Sequence, residues 1–122
     1  MTTVDLAKTE EIATLTLSNP GKLNAINLAM WLQLASHMAT LSADSSVRCI
    51  VIRGAGNEAF AAGGDLEEFV TGRATLEQAL HYHGQVAAAL NAIADCPHPT
   101  VALIQGACIG GGLEIAGVCD LR

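Results

Sequence analysis

The apolar run Thr100-Val101-Ala102-Leu103-Ile104 leads into Gly106-Ala107-Cys108-Ile109-Gly110-Gly111-Gly112-Leu113-Glu114. A buried strand that feeds three consecutive glycines, and then a helical pattern, restricts the fold severely. Glycine lets backbone approach backbone where no side chain fits. A helix starting there directs its first unpaired N–H groups out of the turn. A second segment has the same character: Phe60-Ala61-Ala62-Gly63-Gly64-Asp65-Leu66 follows another apolar run and also leads towards helix. Two loops of this kind belong to layered α/β folds, whose ligands sit where strands hand over to helices.

The rest of the chain fits that class. Alternation over Thr9 to Leu17 predicts a strand with Ile12, Thr14 and Thr16 on one face and Ala13, Leu15 and Leu17 on the other. Val4 and Leu6 suit a partner strand. Ser18-Asn19-Pro20-Gly21 is a turn. From Leu28 the period changes to three and four: Trp31, Leu34, Ala35, Met38 and Leu41 predict an amphipathic helix over 27–42, with Asn27 as its N-cap. Val47 to Arg53 reads as a buried strand and Gly54 to Asn57 as a loop. A second helix is predicted over 75–94, with Leu76, Ala79, Leu80, His83, Val86, Ala87, Leu90 and Ile93 on one face, ended by Pro97-His98-Pro99. A third helix starts near Gly110 or Gly111, and Asp120-Leu121-Arg122 begins another strand.

Composition removes several functions. The 122 residues carry a net charge of −6 with only six Lys and Arg, so no basic patch can form for nucleic acid or an anionic membrane. No run of eighteen apolar residues occurs, so no membrane span is expected. The start, MTTVDLAKTEE, has neither a basic nor an apolar targeting region, and the expected compartment is the cytoplasm. Cys49, Cys96, Cys108 and Cys119 form no C-x-x-C pair and read as reduced, mostly buried thiols rather than metal ligands. His81 and His83 have no partner pattern and read as surface or packing residues.

Two glycine loops of this kind can aim two backbone N–H groups at one oxygen. That makes an oxyanion hole, reinforced by the positive end of the helix dipole. Phosphate binding is the alternative use of such loops. It fits less well, because no Lys-Ser/Thr follows the glycines and Ile115 stands where a dinucleotide motif starting at Gly110 needs glycine. Glu114 lies in the first turn of its helix. There it is either a dipole-stabilising carboxylate or a general acid/base beside the oxyanion donors. Asp65 reads first as the N-cap of a helix from Leu66 onward.

Taken together, Phe60 to Leu66, Gly106 to Glu114 and Cys119-Asp120 resemble the motifs F-x-A-G-x-D-[LI], G-x-x-x-G-G-G-x-E and C-D of the enoyl-CoA hydratase/isomerase (crotonase) superfamily. Lys22-Leu23-Asn24-Ala25 is similar to that family's N-terminal signature, so the resemblance spans almost the whole chain. It implies a spiral of ββα units, of which residues 1–122 are the N-terminal portion of a single domain. The later strands, a second catalytic glutamate and a helical trimerisation region would lie beyond Arg122.

The resemblance further implies an enzyme that stabilises a thioester enolate. Enoyl-CoA hydratase, adding water to a trans-2-enoyl-CoA, is the leading expectation. Enoyl-CoA isomerase, or a catalytically inactive CoA-binding or interaction module, is the alternative. By position, the N–H groups of Ala62 and Gly111 would form the oxyanion hole and Glu114 would be a catalytic glutamate. Lys22, Leu23, Ala25, Ala62, Gly63, Gly64, Asp65, Leu66 and Gly111 would surround substrate and CoA, with Lys22 near the phosphates. Coenzyme A would enter as part of the substrate, with no separate cofactor and no metal. The full-length assembly would be a homotrimer or hexamer.

Overall fold

The computed structural model describes residues 2–122, and its frame is a four-stranded sheet. Strand β1 (Thr3–Thr9) and β2 (Ile12–Ser18) form an antiparallel hairpin, whose turn places Glu10 at φ 56°. Strand β2 then runs parallel to β3 (Cys49–Gly54), and β3 parallel to β5 (Thr100–Leu103). The strand expected from Thr9 thus starts at Ile12, because Thr9 closes the preceding strand against it. Its faces are as expected: Ala13, Leu15 and Leu17 are fully buried.

Helix α1 (Leu28–Ser42) crosses the sheet and packs against α3 (Leu76–Ala94). The Asn27 side chain accepts from the Met30 N–H at 2.9 Å, as an N-cap should. Met30, Trp31, Leu34, Met38 and Leu41 form the buried stripe. The same helix covers the free edge of β1: Gln33 accepts the Val4 N–H at 2.7 Å, and the His37 ring bonds the Val4 carbonyl at 2.9 Å.

Helix α3 begins with a capping box between Thr75 and Gln78, but its buried face is not the expected one. Tyr82, Ala89 and Ile93 are buried, with Val86 and Leu90 packed beside them. Leu76 and Leu80 are 76% and 63% exposed, and His83 and Ala87 also face outward. The sequence carries two overlapping apolar stripes on this helix. The one that includes Tyr82 is turned inward, because Tyr82 can satisfy its hydroxyl there, donating to Glu68 Oε1 at 3.0 Å.

A second sheet was not expected. Strand β4 (Ala59–Ala62) and β6 (Ala107–Ile109) pair in parallel, so both presumed loops begin as short strands side by side. Helix α2 (Glu67–Thr71) follows the first and α4 (Gly111–Val118) the second. Gly112 allows α4 to settle on β4, since a Cβ there would stand 2.3 Å from the Ala61 carbonyl oxygen. Near the C-terminus only Leu121 makes a bridge, to Val101, in place of the strand expected from Asp120. The Asp120 carboxylate instead accepts from the Thr100 N–H at 2.9 Å, while the Asp120 N–H donates to the Thr100 hydroxyl at 2.9 Å. The four cysteines are free thiols. Cys119 is buried, its thiol pushed up to about 11 by that burial, and the other three are half-buried. No helix among the described residues is long and apolar enough to cross a membrane.

Candidate active site

The two glycine loops meet. A Cβ on Gly110 would lie 3.3 Å from the Gly63 Cα, so the start of α4 abuts the chain leaving β4. Beside this contact is a cavity of about 260 Å³ bordered by Gly64, Gly111 and Glu114, with Trp31, Arg73 and His83 completing much of its wall. Among the described residues no acceptor takes the N–H of Gly64 or of Gly111. Glu114 is exposed in the first turn of α4, its N–H bonded to the Gly110 carbonyl at 2.9 Å, and its side chain borders the same space.

The expected pairing of Ala62 with Gly111 needs correction. The Ala62 N–H donates to the Leu23 carbonyl at 3.0 Å and has no proton left for a ligand. Gly63 explains why the next available donor is two residues on. In an extended strand, N–H groups point alternately to either side. Gly63 has φ 92° and breaks that alternation. Its carbonyl accepts from Ile26 at 2.8 Å, and the Asp65 N–H donates to the Ile26 carbonyl at 3.1 Å, so both face the same segment as Ala62 does. Gly64, between them, turns its N–H the other way, towards the cavity it shares with Gly111.

A second cavity, of about 360 Å³, adjoins the first at Gly64. It is bordered by Lys22, Leu23, Ala25, Ala62, Asp65 and Leu66, which are residues expected around CoA, and by Glu67. Gly63 does not border it; its part is the backbone reversal just described. Lys22 differs from expectation in its electrostatics. Its ammonium lies 2.9 Å from Glu67 Oε2 and 3.2 Å from Asp65 Oδ2, and these two bonds raise its pKa. The local charge is therefore negative overall, and the lysine presents no free positive charge to a phosphate. Burial would push the Asp65 carboxyl up, but the Lys22 ammonium and the Glu67 N–H outweigh it and hold it below the usual carboxylate value. Asp65 also accepts the Glu67 N–H at 3.1 Å, but the helix begins at Glu67 with Leu66 in the N-cap position, so Asp65 stands one residue ahead of the cap expected for it.

Two residues missing from the expected site hold it together. Asn24 is buried at φ 56°, next to Leu23 at φ 50°. Its amide donates to the carbonyls of Ala55 and Ala59, each at 3.0 Å, and accepts the Asn19 N–H at 3.2 Å. This fixes the strained turn whose Leu23 carbonyl occupies the Ala62 N–H. Glu68 accepts from the Leu28 N–H at 2.8 Å and from the Tyr82 hydroxyl, tying α2 to α1 and α3. The available signal for Asn24 was its place inside the Lys22–Ala25 segment. A larger cavity of about 470 Å³ beside that turn is bordered by Asn19, Asn24 and Ala55, with Glu58 as its single titratable side chain.

Fold and site thus define a class: an α/β protein in which two strand-to-helix loops bring unpaired backbone N–H groups and a carboxylate to one cavity. Comparison with known proteins makes this specific. The enoyl-CoA hydratase/isomerase family model matches residues 7–122, and the chain belongs to that family. It is 36% identical over 124 residues to a 4-chlorobenzoyl coenzyme A dehalogenase of Arthrobacter, covering 97% of this chain and 43% of that protein. It is 32% identical over 121 residues to the mouse mitochondrial Delta(3,5)-Delta(2,4)-dienoyl-CoA isomerase, covering 87% and 35%. Among solved structures, an enoyl-CoA hydratase/carnithine racemase from Magnetospirillum magneticum superposes with a TM-score of 0.94 at 48% identity, covering 98% of this chain and 45% of that one. The crotonase-type fold is therefore established for this chain, which spans less than half the length of these relatives.

Proposed function

We propose that this chain carries the thioester-activating half of an acyl-CoA enzyme, with enoyl-CoA hydratase as the reaction it serves. The observation that carries the reading is the cavity at which the free N–H groups of Gly64 and Gly111 meet the Glu114 carboxylate. The thioester oxygen would accept from both N–H groups, which stabilise the negative charge that grows there as C3 is attacked. Each such donor is typically worth about 2.7–4 kcal/mol in the transition state. Glu114 would take a proton from water as its oxygen bonds to C3, or deliver one to C2. The CoA arm would leave past Gly64 into the cavity between Leu23 and Leu66. The reaction needs no cofactor beyond the CoA of its substrate, and the full-length protein would assemble as a trimer or hexamer.

Isomerisation is the second reading, supported by the 32% identity to a Delta(3,5)-Delta(2,4)-dienoyl-CoA isomerase and by the single carboxylate that such a proton shift needs, which Glu114 supplies at the inner cavity. One carboxylate suffices to move a proton between C2 and C4, whereas hydration in this family generally uses two. The test is Glu114→Gln in the full-length protein with trans-2-enoyl-CoA, followed by loss of the conjugated thioester absorbance and by product analysis. Turnover should fall by about 10²–10⁴-fold, the range for a positioned acid/base, while acyl-CoA still binds. A 3-hydroxyacyl product supports hydratase and a shifted double bond supports isomerase. Unchanged turnover refutes the role of Glu114 in either.

A further inference from the structure

Arg73, in the link between α2 and α3, is unused by the mechanism above, yet it borders the inner cavity with Gly64, Gly111 and Glu114. A Cβ built on Gly64 would lie 3.7 Å from its Nη2, so the guanidinium stands next to the oxyanion loop. It is held there by aromatic rings: its Cζ lies 3.8 Å from the centroid of Tyr82 and 4.5 Å from that of Phe69. Stacking of this kind fixes the plane of the guanidinium and leaves its edge for hydrogen bonding.

Among the described residues no carboxylate makes an ion pair with it. The ion pairs among the described residues belong to Lys8, Lys22 and Arg48. The nearby Glu68 is engaged by the Leu28 N–H and the Tyr82 hydroxyl, and Glu114, across the cavity, makes no ion pair with Arg73. The Arg73 Nε is buried without a hydrogen-bond partner. A half-buried arginine with a fixed plane and no ion-pair partner among the described residues has its Nη2 edge, next to Gly64, available for an anion in the cavity.

We propose that the inner cavity takes an acyl group bearing its own carboxylate, the mono-CoA thioester of a short α,β-unsaturated dicarboxylic acid, with Arg73 as the receptor for the free carboxylate. This rests on the acyl-CoA reading and narrows its substrate class. The volume of about 260 Å³ suits a short acyl chain. The position of Arg73 next to Gly64 puts the second carboxylate only a few carbons from the thioester. The carboxylate takes no part in the bond changes: water adds across C2 and C3 as before, and the anion fixes the register of the chain.

The test compares two saturated, unreactive thioesters that differ by one carboxylate, glutaryl-CoA and butyryl-CoA, titrated calorimetrically into the full-length protein. A charge-assisted contact of this kind should make glutaryl-CoA bind about ten- to hundredfold more tightly. Arg73→Met should bring the ratio close to one, and Arg73→Lys should recover part of it. A ratio near one in the unaltered protein overturns the proposal and means that Arg73 finds its anion within the protein. A ratio that survives Arg73→Met places the receptor elsewhere and overturns it equally. If Arg73→Met does not fold, the ratio in the unaltered protein and in Arg73→Lys decides. Failure of both thioesters to bind would instead defeat the acyl-CoA reading itself.

Discussion

Replacement of Asn24 tests whether the site is held by one buried amide. Asn24→Ala removes two donated hydrogen bonds, to Ala55 and Ala59, and one accepted from Asn19. A buried polar group left without its partner costs about 1–3 kcal/mol. Water reaching the Ala55 end would relieve part of this, so about 2–5 kcal/mol is expected from the bonds together. Alanine at φ 56° adds about 1 kcal/mol, because its Cβ resists the left-handed region that asparagine tolerates. The total of about 3–6 kcal/mol is a large share of the 5–15 kcal/mol that stabilises a typical domain. Asn24→Gly separates the two contributions, since glycine keeps the backbone conformation and loses the bonds. Urea unfolding of the full-length protein at one fixed protomer concentration should rank unaltered, Asn24→Gly and Asn24→Ala in falling stability, the last two differing by about 1 kcal/mol. Both variants within about 1 kcal/mol of the unaltered protein would refute the argument that this turn is fixed by its amide.

Asp65 has a folded pKa below its ordinary value of 3.8, so it contributes stability that is present above that value and is lost as pH falls through the lowered folded value. Asp65→Asn should therefore be destabilised by a constant amount above about pH 5, with the gap to the unaltered protein closing below it; a gap independent of pH down to 2 would contradict the Lys22–Asp65 pairing. Gly112→Ala puts a methyl group 2.3 Å from the Ala61 oxygen and must push α4 off β4, at a cost of about 1–3 kcal/mol in chemical unfolding. Because α4 carries both Gly111 and Glu114, turnover should fall further than stability alone explains, and a variant of unaltered stability would show that α4 does not rest on β4 through Gly112.

Where the sequence was legible, side-chain pattern and backbone agreed. The period-two burial of β2 and the capped stripe of α1 follow from residue types that admit one arrangement. The second sheet was hidden, because β4 and β6 are four and three residues long and rich in alanine, too short and too bland for a period to register. Helix α3 was half legible: its ends were signalled by Thr75 and Pro97, but two apolar stripes compete on its surface. The choice between them is tertiary, made where Tyr82 reaches Glu68 and where Arg73 stacks on its ring. The Arg73 environment was out of reach altogether, since it is assembled from a link, two helices and a glycine far apart in the chain.

The misplacement of the oxyanion donor has a sharper cause. Ala62 and Gly64 both sit in the segment Ala62-Gly63-Gly64-Asp65, and residue type alone favours neither as a donor. The choice depends on which backbone groups the Leu23–Ile26 turn takes. That turn takes the Ala62 N–H, the Gly63 carbonyl and the Asp65 N–H, an order that regular alternation would not permit. The positive φ of Gly63 makes it possible, and the strained pair Leu23 and Asn24 presents the carbonyl that claims Ala62. The turn around Asn24 is therefore part of the donor geometry. By occupying every backbone group of the segment that faces it, it leaves the Gly64 N–H as the one turned towards Gly111. Loss of Asn24 should consequently release Ala62, disorder the Gly64 donor and lower kcat for the acyl-CoA reaction more than it raises KM. A loss confined to KM would mean that the turn serves only to hold CoA.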